Sequence, residues 1–268
     1  MHKTLSFALI ACTAAGCSLI SSFTSSAESA AGSTLGARAA NEAVGPAPQA
    51  QAQPAVAYNS GSTSAAMYSN PAFLNIYMTM IFSMAFSSGG YDVAQVAYKP
   101  GDYTRWTASQ GNGKEATLER AYLFNDKSGN QWWKVKWTDD KNETVVLEGL
   151  LNPGEKRFVR MRGKFPNDAE GKELAVDEHS YYQPPQHLSK ESVEGATTGL
   201  ESVSVPAGSF RAKHVVFGGV GGTSEWWLAD KVPGGSVRQL SKGENSKNAW
   251  EMKLAAYGSD AKSELGAK

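Results

Sequence analysis

Between residues 116 and 257, runs of β-forming residues alternate with turn clusters at a spacing of roughly 8–14 residues. That spacing leaves no room for crossover helices, so successive runs must pair as an antiparallel meander. Strands are expected at Ala116–Asn125, Gln131–Thr138, Thr144–Leu151 and Lys156–Lys164, then at 193–205, 209–217, 223–229, 235–240 and 249–257. A looser stretch after Pro166 contains strand-like residues near Ser180-Tyr181-Tyr182 and a break at Pro184-Pro185. The run Gln131–Thr138 places Trp133, Val135 and Trp137 on one face and Lys134 and Lys136 on the other. With 41% hydrophobic and 10% aromatic residues, the chain can build a real core, which excludes wholesale disorder.

Ahead of the strands stands one strong helix signal. Asn70 can cap it, Pro71 suits its first turn, and Ser87-Ser88-Gly89-Gly90 can end it. Asn75, Thr79, Ser83 and Ser87 recur every four residues, which puts them on one narrow stripe. The rest is Met, Phe, Ile, Leu, Tyr and Ala, and no residue from 71 to 90 is charged. At about 27 Å such a helix is short for a membrane span. Three readings are open: a core helix packed on a sheet, a Met- and Phe-rich wall of a cavity for an acyl or other apolar ligand, and an interfacial membrane helix.

The N-terminus gives an address. Lys3 supplies a positive n-region, and Leu5 to Ala15 supplies an apolar h-region too short to span and stay. Ala14-Ala15-Gly16-Cys17 resembles the bacterial lipobox, with Ala14 where Leu is more usual. The resemblance implies cleavage before Cys17, acylation of that residue with palmitate-type chains, and a bilayer partner. Cys12, the other cysteine, would leave with residues 1–16, so the remaining chain could form no internal disulfide. Ser18 resembles the sorting pattern for the outer membrane. Residues 17–68 hold the lipidated Cys and an Ala-, Ser-, Gly-, Pro- and Gln-rich stretch, expected to be a disordered tether with a reach of about 40 Å. The expected organisation is thus a signal peptide at 1–16, a tether at 17–68, a globular domain at 69–258 and a flexible tail at 259–268.

Chemistry-bearing patterns are sparse. Equal numbers of basic and acidic residues, 26 each, argue against a nucleic-acid binder. His179, His187 and His214 follow no metal-ligand spacing and read as structural. No nucleophile elbow, phosphate loop or His-Glu-x-x-His occurs, so neither catalytic residues, metal nor cofactor are expected. Gly218-Gly219-Val220-Gly221-Gly222 lies between two strands and reads as a hairpin loop. The pairs Trp132-Trp133 and Trp226-Trp227 each put one indole on either side of a sheet.

Two turns echo each other: Val205-Pro206-Ala207-Gly208-Ser209-Phe210-Arg211 and Val232-Pro233-Gly234-Gly235-Ser236-Val237-Arg238. The segments from Ser204 to Val215 and from Glu225 to Gly235 resemble the C-terminal part of bacterial lipoproteins related to the LolA/LolB-like lipoprotein-carrier half-barrels. The resemblance spans about residues 100–257. It implies a mainly β fold, a curved antiparallel sheet or half-open barrel with an apolar concave face, here packed on the one N-terminal apolar helix. The function expected is that of a non-catalytic, membrane-anchored envelope lipoprotein, holding an apolar or acyl ligand between sheet and helix. Phe73, Tyr77, Met80, Met84, Trp133, Trp137 and Trp227 are the candidate lining. The alternative is an interaction lipoprotein that presents exposed Trp faces to glycan or protein.

Overall fold

The computed structural model describes residues 81–268, apart from 83–84, 87–90, 94, 111–112, 178–185, 220–221 and 244–248. The signal peptide, Cys17, the tether, Phe73, Tyr77, Met80, Met84, His179 and the run at 180–182 lie outside the described residues.

Eleven strands form one open sheet. They are β2 (Tyr103–Gln110), β3 (Glu115–Asn125), β4 (Gln131–Thr138), β5 (Thr144–Asn152), β6 (Arg157–Lys164), β7 (Lys172–Leu174), β9 (Thr197–Val205), β10 (Gly208–Gly219), β11 (Gly222–Leu228), β12 (Ser236–Gly243) and β13 (Trp250–Gly258). Two short strands, β1 (Tyr91–Asp92) and β8 (Gln186–His187), pair in parallel outside it. The order β7-β6-β5-β4-β3-β2-β13-β12-β11-β10-β9 is two meanders joined where β13 pairs antiparallel with β2. The antiparallel expectation holds for every pair in this sheet. The sequence reading missed β2, which opens the first meander. Val193, expected within a strand, lies in the helix α1 formed by Lys190–Gly195. Ser189 caps α1 by accepting from the Ser192 amide.

The turns follow local chemistry. Asp126 Oδ1 accepts from the amides of Ser128 and Asn130, and Gly129 takes φ +83°. Asp139 Oδ1 accepts from Lys141 and Glu143 in the same manner. The register pair Gly219↔Gly222 confirms the glycine-rich segment as the tip of a hairpin. Register shifts interrupt the ladders at Tyr122/Phe124, Leu150/Leu151, His214/Val215, Trp227/Leu228 and Leu254/Ala256. Such shifts bend strands and increase twist. The bend is large enough that the β9–β10 turn reaches β13, three strands away in the order, where the Ala207 amide donates to the Leu254 carbonyl at 3.0 Å.

One face of the first meander is apolar. Trp106, Ala108, Ala116, Leu118, Val135, Leu147 and Met161 line it and belong to one buried cluster. Ile81, Phe82 and Ala85, which are helical, are buried in that cluster. The opposite face carries the cross-strand row Ala121↔Lys134↔Glu148↔Arg162. Residues 259–268, expected to be a flexible tail, lie across this row. Glu148, fully buried, accepts from Ser263 Oγ at 2.7 Å and from the amides of Glu264 and Leu265 at 2.6 and 3.2 Å. Arg162 donates to the Gly266 carbonyl at 2.8 Å. The reason is non-local: the segment satisfies a buried carboxylate more than a hundred positions earlier in the chain.

Candidate functional site

The apolar face of β3 runs Ala116, Leu118, Arg120, Tyr122, so alternation drives one guanidinium inward among hydrophobic neighbours. Arg120 is 7% exposed. Its Nη1 donates to the Ala85 carbonyl at 2.6 Å, and its Nε donates to Thr104 Oγ1 at 3.2 Å. Tyr98 Oη shares that hydroxyl at 2.6 Å. The guanidinium carbon lies 5.3 Å from the Trp106 ring centre and 5.9 Å from those of Phe86 and Tyr98. Every partner of Arg120 among the described residues is therefore neutral: two oxygens and three ring faces. Ring quadrupoles and a helical carbonyl are the groups that can offset a buried cation in the absence of a carboxylate.

Trp133 closes this arrangement. Its ring stacks on Tyr122 at 4.5 Å and meets Phe86 and Tyr98 edge-on at 5.0 and 5.5 Å. Its Nε1 donates to Gln131 Oε1. Trp137 lies two residues along the same face, half-buried against the same apolar cluster. Phe82 packs on Phe158 at 4.9 Å, and a Cβ on Gly149 would lie 2.8 Å from Phe158 and 3.2 Å from Phe82. The helical residues thus sit directly on the strands. Arg120 escaped the sequence reading, although its place in an alternating apolar face was the available signal.

Trp227 lies in the second meander. Its ring stacks on His214 at 4.4 Å, and the Arg238 guanidinium covers it at 4.3 Å. Trp227 Nε1 donates to Glu201. His214 has Nδ1 2.9 Å from Glu201 and Nε2 3.1 Å from Glu225. Burial works against ionised Glu225, yet bonds from Lys242 and His214 outweigh it and hold the carboxyl below its usual range. Glu251 behaves alike: burial is outweighed by Lys253 and Arg238. The structure therefore gathers Trp133, Trp137 and Trp227 in or against the one buried cluster that also holds Ile81, Phe82 and Ala85, and Trp227 additionally joins a polar ladder in the second meander.

Both tryptophan pairs straddle the sheet as expected, but neither face is open. Trp132, Trp226 and Trp227 are buried at 0, 1 and 5%, and Trp133 is half-buried. Exposed Trp faces, the basis of the interaction alternative, are not what these positions provide. Among the described residues, no three His, Cys, Asp or Glu side chains are grouped to hold a metal ion, and no helix is long and apolar enough to cross a membrane.

No protein-family model and no curated protein sequence matches the chain. Among solved structures it is similar to a candidate lipoprotein from Parabacteroides distasonis, at 11% identity and TM-score 0.31 over 61% of this chain and 97% of that one. A candidate exported protein with YmcC-like fold from Bacteroides fragilis gives 12% identity and TM-score 0.31 over 61% and 98% of the two chains. MucB of Pseudomonas aeruginosa, solved with MucA, gives 13% identity and TM-score 0.38 over 62% of this chain and 55% of that one.

Proposed function

We propose that this chain is an exported, lipid-anchored envelope protein that binds rather than catalyses, and that its ligand is an apolar or acyl chain taken between the sheet and the helical segment. The observation that carries the reading is the seat itself. Ile81, Phe82 and Ala85 are buried on the apolar face of β2–β6, with Phe86 half-buried beside them, so that face holds apolar side chains laid against it, and a ligand would enter by parting them from the strands. An acyl chain would present the same chemistry. Anchoring rests on Ala14-Ala15-Gly16-Cys17. The binding reading is further supported by His214, whose two ring nitrogens both face carboxylates and are thereby committed to the sheet.

Two measurements test it. Radiolabelled palmitate should enter the chain in its host, and Cys17→Ala should release it from the membrane fraction. The full chain carrying Cys17→Ser should bind a fluorescent fatty acid, with binding weakened by Trp133→Ala. Absence of label removes the anchor, and absence of both copurifying lipid and fatty-acid binding removes the ligand.

A further inference from the structure

An open sheet has two edges, and here they differ. The β7 edge is three residues long and guarded by charge: Lys172 pairs with Asp168, and Glu173 pairs with Arg160. The β9 edge is nine residues long and exposed from Thr198 to Ser202. It holds neither Pro nor Lys. Its one charge, Glu201, is turned to His214 and Trp227 of its own sheet. Leu200 at its centre is 57% exposed, the most exposed large hydrophobic residue described. These are the features by which natural edges invite another strand, since the usual guards are missing.

The ladder defines what can be added. The tight turn after Val205 makes Val205↔Gly208, Val203↔Phe210 and Glu201↔Ala212 the pairs that exchange hydrogen bonds with β10. The amides and carbonyls of Leu200, Ser202 and Ser204 therefore point away from the sheet. We propose that two copies of this chain pair through β9, antiparallel about a two-fold axis at Ser202. In that register Leu200 faces Ser204 of the second copy, and Glu201 faces Val203, so no like charges stand opposite one another. Moving the axis by one residue, a slide of two along the partner strand, sets Glu201 against Glu201, which disfavours that alternative. The three outward residues of each copy give a self-complementary set of donors and acceptors, joining two sheets into one. The contact is small by the standard of stable dimers, so it is reversible and depends on concentration.

The test uses the full chain with Cys12→Ser and Cys17→Ser, which removes both native cysteines and any acyl anchor. Sedimentation velocity should show the mass rising from one chain to two between about 1 and 300 µM, the range where a small interface associates. Ser202→Pro removes an outward amide without touching the β10 ladder, and Leu200→Lys places a charge on the edge; both should stay single over that range with native near-ultraviolet dichroism. Ser202→Cys should form a disulfide-linked dimer in air, because hydrogen-bonded antiparallel partners lie about 5.5 Å apart at Cα, within disulfide reach. Ser209→Cys should not. A parent that stays single at the highest concentration, two edge variants that associate as the parent does, or no cross-link at 202 would each overturn the proposal.

Discussion

Arg120 and Gly149 show how one position can decide whether the helical segment stays on the sheet. Arg120 holds the Ala85 carbonyl and fills the space between Phe86, Tyr98 and Trp106. Arg120→Met keeps most of the volume but leaves that carbonyl and Thr104 without their donor. The expected cost is about 2–4 kcal/mol, from two charge-assisted hydrogen bonds and the ring contacts. Urea unfolding of the variant measures it, and a change under 1 kcal/mol would show that Arg120 is not the fastening. Gly149→Ala should cost about 1–3 kcal/mol by overpacking, because the new methyl meets Phe158 and Phe82 at once. Gly149→Ala paired with Phe82→Leu should recover part of that loss, a coupling that a double-mutant cycle reads directly.

Among the elements, the segment after β13 departs furthest from its composition. Ser259 to Lys268 is small, polar and charged, and nothing local in it signals order. Its partners are Lys134, Lys136, Glu148 and Arg162, brought within reach by the sheet. Lys134 joins both layers by pairing with Glu119 at 2.8 Å and Glu264 at 3.0 Å. Glu148→Ala should free the segment. Hydrogen exchange at Glu264 and Leu265 would then rise by orders of magnitude, while the β3 and β4 amides remain protected. The same contrast explains what was legible beforehand. Strands β3 to β6 and β9 to β13 announced themselves by alternation and turn residues, both local properties. Strand β2 hid in a Thr- and Ser-rich run, and α1 was masked because Val193 reads as a strand former. Arg120, like the terminal segment, takes its meaning from residues distant in the chain, which periodicity does not register.

At the level of the whole molecule, acid should undo the fold through its paired carboxylates. Burial opposes ionisation of Glu119 and Glu264, but bonds from Lys134 and Arg105 to the first, and from Lys136 and Lys134 to the second, outweigh it and lower both. Glu225 and Glu251 shift the same way. A carboxyl lowered in the folded state stabilises that state fully above its unfolded value of about 4.3, and loses the contribution as pH falls through the folded value. The thermal midpoint should therefore be insensitive to these groups near neutrality and drop below about pH 4.3. Melts from pH 7 to 3 test this, and a midpoint that rises on acidification would contradict it.

The seam between β2 and β13 sets an order of events. Gln110 meets Trp250, so the pairing that unites the two meanders spans 140 positions. Until Trp250–Gly258 have been made and delivered, β2 lacks one neighbour and neither half can present a finished sheet. On the proposed export route the polypeptide would thread a narrow pore unfolded, and there such a keystone would act as a timer. It would leave the two meanders unjoined through most of that passage and let the sheet close over the seam only near the end.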